Sequence, residues 1–235
     1  MSTTDSKPAK LLEEFLPLLV TTINKNGVLD LACGSGRNGK LLVRHNLPVI
    51  FADIRSAALN KISSELAGLK TAAQFWEVDF EDPVGRPLAG KKFDVILVFN
   101  YLHRPLIQDL RKSLVEGGLL FYETFTVEQA ALGRPKNPDY LLKPGELRDW
   151  FEDWEILHYF EGVEENCKES REVGFKEGIK EGIKESFKDG VNEGRTEGLE
   201  AGFDKDSDRD RDKGNGFEPQ RHYANLVTRK PVGWD

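Results

Sequence analysis

The sequence has few cysteines and no long apolar run. Only two of its 235 residues are cysteines, Cys33 in an apolar stretch and Cys167 in a charged one. Two thiols cannot build the disulfide framework of a small secreted protein, so a reducing compartment is expected. The longest apolar stretch near the N-terminus, residues 11–23, is interrupted by two glutamates and a proline, which is typical of neither a signal peptide nor a membrane span. These absences predict a soluble, cytoplasmic protein.

The sequence also lacks an excess of positive charge. Its net charge is −7, and the eighteen acidic and eleven basic residues between positions 161 and 218 account for all of it. The rest of the chain is neutral, so no global basic field would attract nucleic acid by releasing counterions. The four histidines and two cysteines show no metal-ligand spacing, which argues against a structural zinc site.

Strand-like and helix-like segments alternate along the chain. Seven short apolar segments have the composition of β-strands: residues 27–33, 49–54, 75–80, 93–100, 119–125, 155–160 and 222–228. Helical spacing of apolar residues appears at 11–19, 39–43, 57–66 and 106–114. This alternation predicts a doubly wound α/β fold, in which right-handed crossovers place helices on both faces of a mostly parallel sheet.

The segment before the last strand is of low complexity. Residues 174–202 repeat a four-residue unit with glycine at seven positions. Because each glycine costs a helix about 0.8–1 kcal/mol, the repeat predicts a marginal helix, and the polar stretch 204–216 predicts a solvated linker. The repeat is either a docking helix for a protein partner or an expansion tolerated in a surface loop. We favour the expansion, since the cost of closing a loop grows slowly with its length.

A buried strand runs directly into a glycine turn at residues 28–39, VLDLACGSGRNG. Gly34 and Gly36 let the backbone turn sharply and approach a ligand, and the following helix offers free N–H groups. The stretch satisfies the G-x-G-x-x-G pattern, which alone is a weak indication of a nucleotide site.

Acidic residues at the ends of neighbouring strands narrow the choice of ligand. Asp53 ends the second strand, where its carboxylate can accept hydrogen bonds from two ribose hydroxyls. Asp30, in the first strand, would face the cationic methionine end of S-adenosylmethionine rather than a pyrophosphate. Asp79 can accept a hydrogen bond from an adenine amino group, with Phe80 beside the ring. The pattern therefore favours S-adenosylmethionine over a nicotinamide dinucleotide.

With these residues the sequence resembles the class I S-adenosylmethionine-dependent methyltransferases. The resemblance rests on VLDLACGSGRNG, FADI, EVDFED, FDVILVFNYLHRPL and GGLLFYETF. NYLHRPL, YETF and the loop GRPKNPDYLLKPGEL are similar to the small bacterial-type enzymes of the tellurite-resistance methyltransferase branch. The resemblance covers about residues 11–160 and 221–231. One departure is Ala32, which stands where the family pattern has its first glycine.

The resemblance implies a seven-stranded sheet with an antiparallel last strand. It also implies one methyltransferase domain over residues 1–235, with a core at 11–160 and 220–231 and the charged insert at 163–219. S-adenosylmethionine is the implied cofactor. The implied cofactor-binding residues lie at the carboxyl ends of parallel strands: Asp30, Ala32, Gly34 and Gly36 at the methionine moiety, Asp53 and Ile54 at the ribose, Asp79 and Phe80 at the adenine, and Asn100 at the methionine end.

Polar residues after the fourth strand, in the fifth strand and in the loop that follows it are candidates for the acceptor side: Tyr101, His103, Arg104, Glu123, Arg134 and Tyr140. Tyr101, His103 and Arg104 either shape or protonate a substrate, or His103 and Arg104 hold the loop and cap the next helix. The proline-rich loop with Arg134 and Tyr140 is either a lid or a rigid connector.

The implied reaction is in-line methyl transfer to a small nucleophilic acceptor, which stays unidentified. The leaving group is a neutral thioether, so the protein needs no nucleophile of its own, and Cys33 is assigned to packing. Because the sequence offers no unambiguous base, no catalytic residue is assigned. Two alternatives remain open: an NAD(P)-dependent oxidoreductase using the same glycine turn, and a non-catalytic adenosyl-binding scaffold that recruits a partner through residues 174–202.

Overall fold

The computed structural model describes residues 7–69, 72–163 and 220–234, in which seven strands form a mixed sheet. In chain order the strands are β1 (Val28–Leu31), β2 (Val49–Asp53), β3 (Ala73–Glu77), β4 (Phe93–Phe99), β5 (Leu114–Phe125), β6 (Glu155–Val163) and β7 (His222–Arg229). Their order across the sheet is β3-β2-β1-β4-β5-β7-β6. Strand β7 is antiparallel to both neighbours and the other four pairings are parallel, which confirms the predicted sheet.

Several strand boundaries differ from the prediction by one to five residues, and two of these differences have a local reason. Strand β5 begins at Leu114 instead of residue 119, because Leu114 pairs with Phe93 ahead of an irregularity in which residues 115–118 of β5 stand opposite Asp94 alone. Strand β3 ends at Glu77 instead of residue 80. The carboxylate of Asp79 accepts the backbone N–H of Glu81 at 2.8 Å, which turns the chain away from the sheet.

Helices pack on both faces of the sheet. One face carries α1 (Lys10–Glu14), α2 (Leu16–Thr22), α3 (Arg37–Arg44) and α4 (Ser56–Leu66), and the other carries α5 (Ile107–Ser113) and α7 (Glu146–Asp149). Helix α6 (Gln129–Leu132) lies in the connection after β5. The predicted N-terminal helix is divided at Phe15, and Pro17 lies in the first turn of α2, where its missing N–H costs no hydrogen bond.

Side chains of the central strand alternate between the two apolar cores. Val95, Leu97 and Phe99 of β4 pack with α1 to α4, whereas Ile96 and Val98 pack with α5 and α7. This alternation follows from the two-residue period of a strand. Because β4 is buried on both faces, it fixes the position of the loop that follows it.

The carboxyl ends of β1 to β6 lie at one edge of the sheet, where open α/β folds bind their ligands. The chain between β6 and β7 leaves and returns at this edge, since Val163 pairs with His222. The helix and linker predicted for the insert lie beyond Val163, outside the described residues. Within the described ranges, the helices are too short or too polar to span a bilayer.

Candidate active site

The turn between β1 and α3 is built on left-handed backbone conformations. The φ angles of Ala32, Gly34 and Gly36 are 49°, 59° and 69°. Gly36 also lies tightly against its surroundings, because a Cβ there would come within 2.7 Å of the Cδ1 atom of Ile62. Ala32 adopts the left-handed conformation despite its side chain, which costs roughly 1 kcal/mol. The left-handed backbone therefore explains why glycine suits this position, and Ala32 keeps the same backbone conformation under strain.

Gly39 brings α3 close to the sheet. A Cβ on Gly39 would lie 2.4 Å from a ring carbon of Phe51 and 2.7 Å from a carboxylate oxygen of Asp30. The N–H of Gly39 donates to that same oxygen at 2.9 Å. The third glycine of the motif thus lets the helix contact the strand, and Asp30 holds the helix backbone in place.

Asp30 is a buried carboxyl beneath the glycine turn, with 3% of its surface exposed. Burial raises its pKa from 3.8 to about 7, against the opposing effects of the Gly39 N–H and the Arg37 guanidinium. The nearby Asp53 carboxylate raises the pKa further. A cation placed beside Asp30 would favour its charged form.

Asp53, at the end of β2, accepts four hydrogen bonds. Its Oδ1 atom accepts from the backbone N–H of Arg55 at 2.9 Å and from the Arg55 Nε at 3.1 Å. Its Oδ2 atom accepts from the Gly34 N–H at 2.8 Å and from the Arg55 Nη2 at 3.5 Å. Burial raises the pKa of Asp53, but these donors together outweigh burial and lower it overall. Asp53 therefore joins the glycine turn to the end of β2 as an ionised group.

The loop after β3 brings Asp79 and Phe80 to the same edge. Asp53 and Glu77 are register partners, and the Val78 N–H donates to the Asp53 carbonyl at 3.1 Å. Phe80 is buried and makes an edge-to-face contact with Trp76, with ring centroids 5.7 Å apart. Asp79 is exposed, and so is Ile54. The four residues predicted for the ribose and the adenine thus lie at or just beyond the carboxyl ends of two adjacent strands, β2 and β3.

The loop after β4 begins with a left-handed asparagine. Asn100 has a φ of 55°, is exposed, and donates its N–H to the Glu123 carbonyl at 2.8 Å. The Tyr101 hydroxyl is buried and lies near the Glu81 carboxylate. Burial raises the Tyr101 pKa, and the Glu81 and Asp79 carboxylates raise it further. The phenol predicted for the acceptor side therefore lies near the loop predicted for the adenine.

Arg104 fastens the loop after β4 to the loop after β5. Its guanidinium donates to both carboxylate oxygens of Glu146, at 2.7 and 2.8 Å. It also donates to the carbonyls of Asp139 and Leu141, at 3.0 and 2.9 Å. Of the two roles open in the sequence, these contacts favour holding the loop. His103 precedes a 3₁₀ turn (Arg104–Leu106), and its carbonyl accepts the Leu106 N–H.

The remaining acceptor-side candidates lie on or after β5. Glu123 is half-buried near the end of β5, directly opposite Asn225 of β7. Tyr140 is 53% exposed. The Arg134 carbonyl accepts a hydrogen bond from the Gln129 side chain at 3.0 Å. The structure thus brings Glu123 to the Asn100 backbone, whereas Arg134 and Tyr140 lie in the connection that follows.

Two polar residues behind Glu123 were missed in the sequence. The Asn225 Nδ2 donates to Glu123 at 3.4 Å, and the Asn225 Oδ1 accepts from the His158 Nε2 at 2.8 Å. His158 also packs edge-on against Phe15, and burial lowers its pKa. This row crosses three adjacent strands. Only the strand register reveals it, because no local motif contains these residues.

Cys33 packs against the core that contains α1 to α4. Burial raises its pKa well above the usual value, and the Asp30 and Asp53 carboxylates raise it further. A thiol that stays protonated is a weak nucleophile, which favours the packing role. Across the described ranges, no three His, Cys, Asp or Glu side chains are grouped so that they could hold a metal ion.

Residues 29–120 match a family model described as a methyltransferase domain. This range contains the glycine turn and the carboxyl ends of β2, β3 and β4. This match confirms the resemblance of these residues to methyltransferases. Neither the oxidoreductase nor the scaffold alternative gains support from it. A comparison with curated protein sequences finds no match.

Solved methyltransferase structures share the fold. TehB from Haemophilus influenzae is similar over 94% of this chain, with 14% identity and a TM-score of 0.59. This chain covers 62% of TehB, less than two thirds of its length. The N-methyltransferase NodS from Bradyrhizobium japonicum WM9 is similar over 94% of this chain and 95% of its own, with 12% identity and a TM-score of 0.54. At such identities the likeness concerns the fold.

Proposed function

We propose that this chain, whose residues 29–120 match a methyltransferase domain, is an S-adenosylmethionine-dependent methyltransferase of class I that methylates a small nucleophilic acceptor by in-line displacement. The observation that supports this proposal most is the meeting of two groups of residues at one edge of the sheet. Asp30, Asp53 and the glycine turn lie on one side of the site. The loops after β4 and β5 lie on the other.

The residues of the first group suit the chemistry of the cofactor. Asp53 offers a carboxylate to a ribose diol, and Asp30 offers a buried negative charge to the cationic methionine end. Gly34 leaves room for a close approach, since a Cβ there would meet only the Arg55 guanidinium, at 3.6 Å. The Ile54 and Phe80 side chains, with Asp79, would border the nucleoside. Ala32, Gly36 and Asn100 would shape the methionine end through their left-handed backbone.

S-adenosylmethionine, when bound, supplies an electrophilic methyl group on a sulfonium. The bond from this methyl to sulfur breaks as the bond to the acceptor forms, and its electron pair stays on sulfur as a neutral thioether. The protein therefore needs no acid for the leaving group. Its task is to hold the acceptor about 3–3.5 Å from the methyl carbon and in line with the breaking bond.

The residues of the second group would provide that alignment. Arg104 ties the loop after β4 to residues 139–146, which keeps the acceptor side assembled before a substrate enters. Glu123, backed by Asn225 and His158, is the carboxylate best placed to receive a proton from an amine or hydroxyl acceptor. A soft anionic acceptor would need no base. Tyr101, His103, Arg134 and Tyr140 would line or cover the site.

Binding and turnover test this proposal together. We expect calorimetry to show micromolar binding of S-adenosylmethionine, about −8 kcal/mol, and no binding of NADH. Asp53→Ala should weaken the binding at least tenfold, because charge-assisted hydrogen bonds are worth about 1.5–3 kcal/mol each. Glu155→Ala, at the opposite end of the sheet, is the matched control and should bind like the wild type.

Turnover is then measured by mass spectrometry as S-adenosylhomocysteine formed with a panel of small thiols, amines and carboxylic acids. Product with at least one class supports the proposal. Cofactor binding without product on any acceptor would favour the scaffold alternative. Binding of NADH but not of S-adenosylmethionine would favour the oxidoreductase.

A further inference from the structure

The side chain of Arg55 lies across the carboxylate of Asp53. Its Nε is 3.1 Å from Oδ1 and its Nη2 is 3.5 Å from Oδ2, so the planar guanidinium places one donor on each oxygen. Its Nη2 also lies 3.6 Å from the position of a Cβ on Gly34. Arg55 thus covers the place where the glycine turn meets the end of β2.

Together these contacts fill the acceptor positions of Asp53. Each carboxylate oxygen receives one backbone N–H, from Arg55 or Gly34, and one guanidinium N–H. A carboxylate oxygen has about two lone-pair positions, so no favourable position remains for a further donor. The two backbone donors are fixed by the turn. The guanidinium belongs to a side chain that is 64% exposed, and it can move away.

A ribose diol would need the positions that the guanidinium occupies. Two adjacent hydroxyls present two donors side by side, one for each carboxylate oxygen, as the Nε and Nη2 of Arg55 do. We propose that the Arg55 guanidinium imitates the ribose diol on Asp53 and competes with the nucleoside, so that Arg55 sets the affinity of the site for its cofactor. This inference rests on the proposed function.

The exposure of Arg55 indicates how strong the competition is. The Arg55 side chain is 64% exposed although that of Asp53 is only 6% exposed, so solvent screens the pair, and displacing the guanidinium should weaken nucleoside binding by about two- to fivefold. The effect should be equal for S-adenosylmethionine and for S-adenosylhomocysteine, because both carry the diol. Salt should weaken the competition, since the guanidinium is exposed to the ions of the solvent.

Calorimetry with the full-length chain tests the inference. Arg55→Ala should bind both S-adenosylmethionine and S-adenosylhomocysteine about two- to fivefold more tightly than the wild type. The affinity of Arg55→Lys should lie between those of the wild type and Arg55→Ala, because a single ammonium cannot place one donor on each carboxylate oxygen as the planar guanidinium does. Lys61→Ala removes an exposed cation of α4 that pairs with Glu65, and it should bind like the wild type.

A double-mutant cycle separates competition from simple charge repulsion. In an Asp53→Ala background, Arg55→Ala should bring no gain, because the competitor has lost its target. Equal or weaker binding by Arg55→Ala, or a gain limited to the cationic S-adenosylmethionine, would overturn the inference while leaving the proposed function intact. A chain that binds neither ligand, as wild type or as variant, would overturn both.

Discussion

The proposed cofactor side and the proposed acceptor side of this site are built over different distances along the chain. On the cofactor side, the hydrogen bond from Gly39 to Asp30 joins residues 9 positions apart in the sequence, and that from Gly34 to Asp53 joins residues 19 positions apart. On the acceptor side, the hydrogen bond from Arg104 to Glu146 joins residues 42 positions apart, and that from Asn225 to Glu123 joins residues 102 positions apart. The two cofactor-side contacts lie within one βαβ unit, β1-α3-β2, whereas the acceptor-side contacts need β4, β5 and β7 and the loops after β4 and β5 to be in place.

Because of this difference, we expect substitutions on the two sides to have different effects on folding and on nucleoside binding. The cofactor side depends on the backbone of one turn, so changes there should affect folding and nucleoside binding together. The acceptor side depends on side chains that join separate loops. Changes there should leave nucleoside binding unchanged.

The largest effect is expected from Gly39→Ala on the cofactor side. Its Cβ would lie 2.4 Å from Phe51 and 2.7 Å from Asp30, so α3 or the sheet must shift. Overpacking of this kind costs about 2–3 kcal/mol of unfolding free energy, measured by urea denaturation, and should also weaken S-adenosylmethionine binding. Gly133→Ala, whose nearest neighbour would be a side-chain nitrogen at 3.6 Å, is the control. Equal losses in both variants would contradict the packing role of Gly39.

Arg104→Ala tests the acceptor side. It removes a two-pronged ion pair and two hydrogen bonds to carbonyls, but a third of the side chain is exposed, so solvent limits the loss to about 1–2 kcal/mol. We expect lower methyl transfer with unchanged cofactor affinity by calorimetry. Arg86→Ala, which breaks an exposed pair with Asp109, should change neither. Weaker nucleoside binding by Arg104→Ala would show that the two sides are not separable.

Asp30→Asn should change how stability depends on pH. The Asp30 pKa is raised from 3.8 to about 7 on folding, so the folded chain holds this proton more tightly than the unfolded chain does. The contribution of Asp30 to the free energy of unfolding therefore falls as the pH rises from about 4 to about 7, and is level above. The variant should lack this fall. Urea denaturation at several pH values measures it, and identical profiles would contradict a raised pKa.

Ala32→Gly should stabilise the protein slightly. The left-handed conformation of Ala32 costs roughly 1 kcal/mol more than that of glycine, which should appear as a small rise in the melting temperature. Ala57→Gly, at an exposed position of helix α4, is the opposite control and should lose up to about 1 kcal/mol. A loss in the Ala32 variant would mean that its methyl group packs usefully.

Deleting residues 174–216 should have the smallest effect. The paired residues Val163 and His222 lie next to each other in the sheet, so a short loop can join them. We expect unchanged S-adenosylmethionine affinity by calorimetry. Lost affinity would assign the insert to the core.

The sequence allowed most of the fold to be predicted. The seven strands follow from apolar segments, and the motif from residue 28 to residue 39 is contiguous. Strand ends were harder to predict. The end of β3 depends on the side-chain hydrogen bond of Asp79, and the start of β5 depends on its pairing with Phe93.

The sequence by itself determined the order of strands and helices, the glycine turn and the carboxylates at the strand ends, because these depend on neighbours along the chain. Only the tertiary structure decided which side chains from distant parts of the chain contact each other. It placed Arg104 on Glu146, His158 behind Asn225 and the Arg55 guanidinium on Asp53. The physical reason is that a side-chain hydrogen bond needs atoms within about 3 Å, and only strand register and loop packing set that distance.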